Sequence, residues 1–348
     1  MSPVPGTGGA PGGWAILVVV TDVATRLDPA PYAGPWPGRE ITAGGVTLHV
    51  RETPGPDGTP AVYVHGLAGS ATNWTDLAGL LAPHAAGTAI DLPGFGRSRP
   101  LAVPDWTPSG HADAVLCFLA GLGRRVHLLG NSLGGLVALS VAARRPELVA
   151  TLTLVSPAVP DRRPSPRRLA DPRMLLAALP GPIGKRARAE LGGLTALERA
   201  AQLVGICFGD PSVVPEHRLR ELAAELEERA RLPWAYTAHQ ETGRQLLISW
   251  LRGPSPWPLA ARIRVPTLVV WGEQDRLVSP SLARRTAALT RGRLVMLPGV
   301  GHVGHIEAPH AVAAAVTRMW QDVAAGRWEE SGGDGTLTLA KNAGQKEP

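Results

Sequence analysis

Cysteine is nearly absent from this sequence: Cys117 and Cys207 are its only two among 348 residues. Two thiols build no disulfide framework, and neither stands at a spacing that ligates zinc or an iron–sulfur cluster. Both lie in apolar runs, "DAVLCFLAGL" and "LVGICFGD", and are expected to be buried thiols in a reducing compartment. Lysine is almost as scarce. It occurs only at 185, 341 and 346, so the 35 basic residues are nearly all arginine. The formal net charge of +6 has the sign that suits a nucleic acid or an anionic membrane. The arginines are spread along the chain, however, with one concentration from Arg162 to Arg188, and no nucleic-acid motif accompanies them. A solvated basic surface is expected, with no nucleic-acid partner.

Membrane-spanning runs are missing as well. "WAILVVV", Trp14 to Val20, is too short to cross a bilayer, and Asp22 follows it. No basic region precedes it and no small-residue cleavage site follows, so it does not read as a secretory signal. It is expected to pack on the domain or on a lipid-like surface, in a cytoplasmic protein for which membrane association stays open. GxxxxGK[ST] and HExxH are absent too. Gly94-x-Gly96 follows a strand but lacks the third glycine and the acidic ribose partner of a dinucleotide site. No cofactor and no metal are expected.

What the chain does have is 44% hydrophobic residues and a length that suits one large α/β domain with an insertion, or two domains. Residues 1–38 read as an N-terminal extension, partly disordered. "REITAGGVTLHVRE" reads as an antiparallel hairpin around Gly44–Gly45. Short apolar runs then alternate with helical stretches: "AVYVHG", "GTAIDLPG", "VHLLGNS", "TLTLVSP", "TLVVWGEQD" and "RLVMLPGVGH". Helices are expected near 72–82, 109–121, 133–145, 280–289 and 306–325. Strands apolar on both faces and separated by helices form a parallel sheet with helices on both sides. With the hairpin this makes a mostly parallel, eight-stranded sheet, built from residues 39–157 and 261–326. One connection breaks the rhythm. Residues 158–260 are mainly helical, carry the amphipathic "PEHRLRELAAELEERARLPW", and are too long for a crossover, so they read as an inserted helical subdomain. Residues 327–348 lose apolar periodicity and read as a disordered tail.

Ligands of open parallel sheets bind beyond the carboxyl ends of the strands, and four unusual segments fall there. In "VHLLGNSLGG", Ser132 stands between Gly130 and Gly134, directly between a strand and a helix. A turn that sharp forces its tip towards positive φ, a strain that folding alone does not require. The plainer alternative is a glycine-rich turn with a helix N-cap serine. "WGEQDRLVSP" sets Asp275 past another strand, with Glu273 in the same loop. "PGVGHVGHIEAP" sets His302 past the last strand, and "YVHGLAGSATNW" sets His65–Gly66 past the third. Attack by serine needs a base to take the hydroxyl proton and a carboxylate to hold the tautomer of that base. Ser132, His302 and Asp275 supply these types. An oxyanion needs two donors. Leu133 opens a helix and has a free N–H; Leu67, next to Gly66, is the expected second.

The segments "HGLAGSATNW", "DLPGFGRS", "GNSLGG", "WGEQD" and "GHVGHIEAP", in this order and spacing, resemble the serine-nucleophile branch of the α/β-hydrolase superfamily over roughly residues 40–325. The resemblance implies the α/β-hydrolase fold, a helical cap at 158–260, and the chain order Ser…Asp…His for the triad. It favours Asp275 over Glu273 as the acid. Asp161, beyond the sixth strand, is a second candidate, although Arg162 and Arg163 beside it suit a surface ion pair. His305 is expected to help start the last helix, His65 to orient the oxyanion loop, and Glu307 to serve loop structure. A serine nucleophile argues against the aspartyl-ester chemistry of haloalkane dehalogenases and epoxide hydrolases. It favours acyl transfer on a small apolar ester or acyl substrate. Two alternatives stay open: a carbon–carbon bond hydrolase of ring-cleavage products, and a non-catalytic receptor or interaction module on the same scaffold.

Overall fold

A computed structural model describes residues 17–19, 34–161 and 181–328. The expectations of disorder at the two ends, and most of the arginine concentration, fall outside the described residues.

The expected hairpin forms from β2 (Gly38–Ala43) and β3 (Val46–Thr53), paired antiparallel. The parallel strands follow: β4 (Ala61–Val64), β5 (Gly87–Ile90), β6 (Val126–Asn131), β7 (Val149–Val155), β8 (Thr267–Gly272) and β9 (Arg293–Leu297). To these eight the described residues add a ninth, β1 (Leu17–Val19), parallel to β9 with Leu17 opposite Leu294. Leu17–Val19 of the apolar N-terminal run therefore pair with the sheet, at its edge. The sheet order is β1-β9-β8-β7-β6-β4-β5-β3-β2.

Successive residues of a strand point to opposite faces, and two separate apolar layers result. On one face Val62, Val64, Leu128, Val269 and Trp271 pack with helices α2 (Pro108–Leu122), α3 (Leu133–Arg144) and, further on, residues of the 283–290 helix. On the other face Ala61, Tyr63, Leu129, Leu268 and Val270 pack with α1 (Thr75–Leu81) and the 309–324 helix. Such three-layer burial is why the strand segments read as continuous apolar runs. In α2 the inward stripe is Ala112, Val115, Phe118 and Leu119, which leaves Cys117 on the opposite side. Cys117 is exposed, contrary to the buried thiol expected of it, and Cys207 is only partly covered. An apolar neighbourhood in sequence did not specify which side of the helix the cysteine takes.

Between β7 and β8 the described residues form α4 (Gly181–Gly192), α5 (Ala196–Cys207), α6 (Glu216–Ala230), α7 (Ala235–Leu251) and the short α8 (Trp257–Ala260). After β8 come α9 (Ala283–Thr290), the single turn α10 (Gly304–Glu307) and α11 (Pro309–Ala324). Helix α5 opens with a reciprocal cap in which Thr195 accepts from the Glu198 N–H and Glu198 accepts from the Thr195 N–H. No helix among the described residues is long and apolar enough to cross a membrane.

Candidate active site

Strands β4, β6, β8 and β9 run parallel, so the loops that follow them leave from one edge of the sheet. Those loops carry Leu67, Ser132, Asp275 and His302, and Leu133 opens the helix that follows Ser132.

Ser132 sits between β6 and α3 with φ 53° and ψ −117°. The turn is tight enough that a Cβ on Gly130 would stand 2.3 Å from the Gly134 carbonyl oxygen, and one on Gly134 would stand 2.2 Å from that of Val64. Glycine is required at both places, and a serine held at this φ costs about 1–3 kcal/mol. Ser132 occupies the N-cap position of α3 yet makes no side-chain capping bond. The hydroxyl is not spent on the helix, which answers the plainer reading. The backbone instead fixes the serine. Its N–H donates to the Val155 carbonyl at 3.1 Å, and its carbonyl accepts from the Ala158 N–H at 2.8 Å. Leu133, the first residue of α3, is fully buried. Its N–H belongs to the first turn, where no intrahelical acceptor exists.

His302 and Asp275 meet. The His302 Nδ1 donates to Asp275 Oδ2 at 2.8 Å, with both residues buried. The other Asp275 oxygen accepts from the Leu277 and Val278 N–H groups, each at 2.9 Å. An ionised carboxylate with these three donors fixes the neutral imidazole as the Nδ1–H tautomer, leaving Nε2 as the acceptor. Glu273 is exposed in the same loop, so the structure gives the histidine to Asp275. The His302 backbone is held on two sides. Its N–H donates to the Cys207 carbonyl at 2.6 Å, and its carbonyl accepts from Asn131 Nδ2 at 3.2 Å. Asn131 precedes Ser132, so the serine turn and the histidine loop are tied directly. Loss of water around the sulfur of this partly covered residue, reinforced by the carboxylates of Asp275 and Glu307, pushes the Cys207 thiol up to about 12. It stays protonated near neutral pH and offers no competing nucleophile.

Leu67 lies in the turn Gly66–Gly69, closed by the Gly69 N–H on the Gly66 carbonyl at 3.0 Å. The turn borders the serine: a Cβ on Gly66 would lie 3.0 Å from the Ser132 Cβ. His65 anchors it from beneath. Its Nε2 accepts from the Leu92 N–H at 3.0 Å, so its Nδ1 carries the proton and donates to the Gly66 carbonyl at 2.7 Å. Burial holds this imidazole below its ordinary range. With both nitrogens engaged it serves the loop, as the sequence suggested. Glu307 serves structure too. Its carboxylate accepts from the Gly301 N–H at 2.7 Å and from the Gly209 N–H at 3.0 Å, joining the histidine loop to the segment after α5. His305 is fully enclosed against Trp74, ring centroids 4.2 Å apart, and neither ring nitrogen has a hydrogen-bond partner. Burial, with the nearby His302, lowers it to about 3.

Some residues of the site escaped the sequence reading. Asp91 of "DLPGFGRS" is buried and accepts from His49 Nδ1 at 2.7 Å, the Ala71 N–H at 2.6 Å and the Arg97 N–H at 2.9 Å. Burial alone would raise it, but the His49 bond, the nearby His65 and these backbone donors hold it below the usual carboxylate range. It fixes the chain just beyond Gly69. A carboxylate at a strand end beside Pro93–Gly94 was the available signal. Glu225 and Arg229 of α6 also reach this loop, through Thr72 Oγ1 at 2.6 Å and the Ala68 carbonyl at 2.7 Å. In sequence they were two charges on a helix rich in charges. Among the described residues no cluster of His, Cys, Asp and Glu is arranged to hold a metal ion.

The family model for the alpha/beta hydrolase family matches residues 61–315. The dihydrolipoyllysine-residue acetyltransferase component of the acetoin cleaving system from Pseudomonas putida is 30% identical over 285 residues, 80% of this chain and 68% of that protein. Monoacylglycerol lipase abhd6-A from Xenopus laevis is 25% identical over 273 residues, 74% of this chain and 73% of the lipase. Among solved structures, a membrane phospholipase A described as a bacterial virulence factor is 26% identical, covering 83% of this chain and 86% of its own with a TM-score of 0.65. Matched span, strand order and the serine turn agree: the chain belongs to the alpha/beta hydrolase family.

Proposed function

We propose that the protein is a carboxylic ester hydrolase working through an acyl-enzyme, with Ser132 as nucleophile, His302 as base and Asp275 as the acid that orients it. The observation that carries this reading is the 2.8 Å contact of His302 Nδ1 with Asp275, on a loop tied through Asn131 to a serine whose hydroxyl caps nothing. Ser132 Oγ attacks the ester carbonyl carbon while His302 Nε2 takes its proton. The carbonyl oxygen becomes an oxyanion and receives the Leu67 and Leu133 N–H groups. Collapse expels the alkoxide, which leaves as the alcohol with the proton from His302. Water then attacks the acyl-enzyme with the same base, releasing the carboxylic acid and restoring Ser132.

Residues 158–260 act as a cap over this site in our reading. Several contacts support it. A Cβ on Gly243 of α7 would lie 3.6 Å from the Leu67 side chain, and Val204 and Phe208 pack with Val303 beside His302. An apolar acyl group suits such walls, and a dry site strengthens the oxyanion contacts. The lipase and phospholipase among the similar proteins point to ester substrates. The test is fluorophosphonate labelling together with turnover of p-nitrophenyl esters of graded length, and of a ring-cleavage dienoate. Labelling at Ser132 and ester turnover that both vanish in Ser132→Ala are expected. Turnover near wild type in purified Ser132→Ala would refute the assignment, and preference for the dienoate would move the reaction to carbon–carbon cleavage.

A further inference from the structure

We infer that Arg229, on α6 of the inserted helices, is a positioning residue that holds the oxyanion turn in its working shape, so that oxyanion stabilisation depends on α6 being seated. The inference rests on the reading of Leu67 as an oxyanion donor.

The turn is strained. Gly66, Leu67, Ala68 and Gly69 close through the Gly69 N–H on the Gly66 carbonyl. Ala68, its third residue, has φ +63°. A turn with positive φ at that position favours glycine or asparagine. Alanine there is disfavoured by a cost of order 1–2 kcal/mol. At Gly69 a Cβ would lie 2.3 Å from Asn73 Oδ1, the atom that accepts from the Ser70 N–H, so the position suits glycine. A strained conformation persists only where its surroundings over-determine it.

Two sets of contacts do so. From the sheet side, His65 holds the Gly66 carbonyl at 2.7 Å. From the inserted helices comes Arg229. One terminal nitrogen, Nη1, donates to the Ala68 carbonyl at 2.7 Å and to the Gly69 carbonyl at 3.0 Å. These carbonyls belong to the peptides 68–69 and 69–70, so fixing them holds the left-handed Ala68 and, through it, supports the turn whose Gly66–Leu67 peptide, held by His65, carries the Leu67 N–H. The grip is built for the purpose. The Arg229 side chain is only 13% exposed, and Glu225, one turn earlier, faces its guanidinium at 3.6 Å. The same Glu225 accepts from Thr72 Oγ1 at 2.6 Å. One face of α6 therefore holds both ends of the segment 68–72. A second attachment of α6, Arg218 Nη2 on Asp76 at 2.7 Å, reaches helix α1. That pair separates the docking of the helix from the shaping of the turn.

The experiment measures the rate of fluorophosphonate labelling of Ser132 and the kcat and KM for a p-nitrophenyl ester. The chains compared are wild type, Arg229→Met, Arg229→Lys and Arg218→Met. Phosphonylation also develops a negative oxygen at the oxyanion site, so labelling reads the turn without knowledge of the natural substrate. Removing a whole oxyanion donor costs about 10²–10³-fold, and misaiming one is expected to cost about 10–100-fold. Arg229→Met should lose that much in labelling rate and in kcat, with KM held within about threefold. Arg229→Lys keeps the charge and one donor and should recover part of the loss. It also serves as the test if Arg229→Met does not fold. Arg218→Met should stay within about threefold of wild type. Wild-type rates in both Arg229 variants would overturn the inference while leaving the triad standing. A loss in Arg218→Met equal to that in Arg229→Met would overturn it as well, since docking alone would then explain the effect. Absence of Ser132-dependent labelling in the wild type would overturn the triad reading and this inference together.

Discussion

Replacing Asp275 by asparagine gives the sharpest test of the site, because the hydrogen bonds around the carboxylate decide which way the amide must point. Asp275 Oδ1 accepts from two backbone N–H groups, those of Leu277 and Val278, while Oδ2 accepts from His302 Nδ1. An asparagine has one oxygen and one NH2 group for these places. With its oxygen on the backbone pair, it keeps two bonds and turns its NH2 towards His302. With its oxygen on His302, the NH2 faces two N–H donors in a buried site, and each unsatisfied donor costs about 1–3 kcal/mol. The first orientation wins. His302 must then accept at Nδ1 and carry its proton on Nε2, where it can no longer take one from Ser132. Loss of tautomer control and of the charge partner in a comparable triad lowers turnover by about 10⁴, equivalent to about 5 kcal/mol in the barrier. The fold should stand, since both backbone bonds survive. Steady-state turnover of a p-nitrophenyl ester, with a urea unfolding curve on the same sample, measures both halves. Turnover within tenfold of wild type, or equal damage from Asp161→Asn, would refute the reasoning.

Three further outcomes follow from other parts of the structure. Glu307→Gln puts an amide NH2 among the N–H groups of Gly301, Gly209 and Asp210. It should lower stability by about 1–3 kcal/mol for each donor left unmet, read as a lower urea midpoint with unchanged m, and an unshifted midpoint would remove its role as a clasp. His305 makes the fold acid-sensitive. Unfolded, an imidazole takes its proton near 6.5, but in the folded chain only at about 3. Its contribution is therefore intact above pH 6.5 and is lost as pH falls towards 3, at about 1.4 kcal/mol per pH unit. His305→Phe keeps the ring on Trp74 and should gain about 2 kcal/mol over wild type at pH 5 relative to pH 7; parallel pH–stability curves would contradict this. Medium-chain esters should exceed acetate in kcat/KM, by at most about 1–3 kcal/mol for each well-buried methylene. A flat or reversed ranking would argue against an apolar pocket under the inserted helices.

What the sequence determined by itself was whatever local chemistry imposes. Continuous apolar runs announced a buried parallel sheet because strands covered on both faces have no polar side to show. Gly130 and Gly134 announced the turn at Ser132 because the clash of any Cβ there is a property of a few adjacent residues. The tertiary structure decided what depends on residues far apart in the chain. Whether His302 pairs with Asp275 or Glu273 turned on which carboxylate faces inward, and three backbone and ring donors converge on only one of them. Cys117 fell outward because helical phase, not apolar company, assigns a side. Leu17–Val19 became a strand only because β9 offered an open edge. Glu225 and Arg229 gave no periodic or motif signal of their attachment to the turn 66–69 and the segment after it. A charge on a helix reads the same whether it faces water or a carbonyl more than 150 residues away, and only the packing of α6 against that turn distinguishes the two.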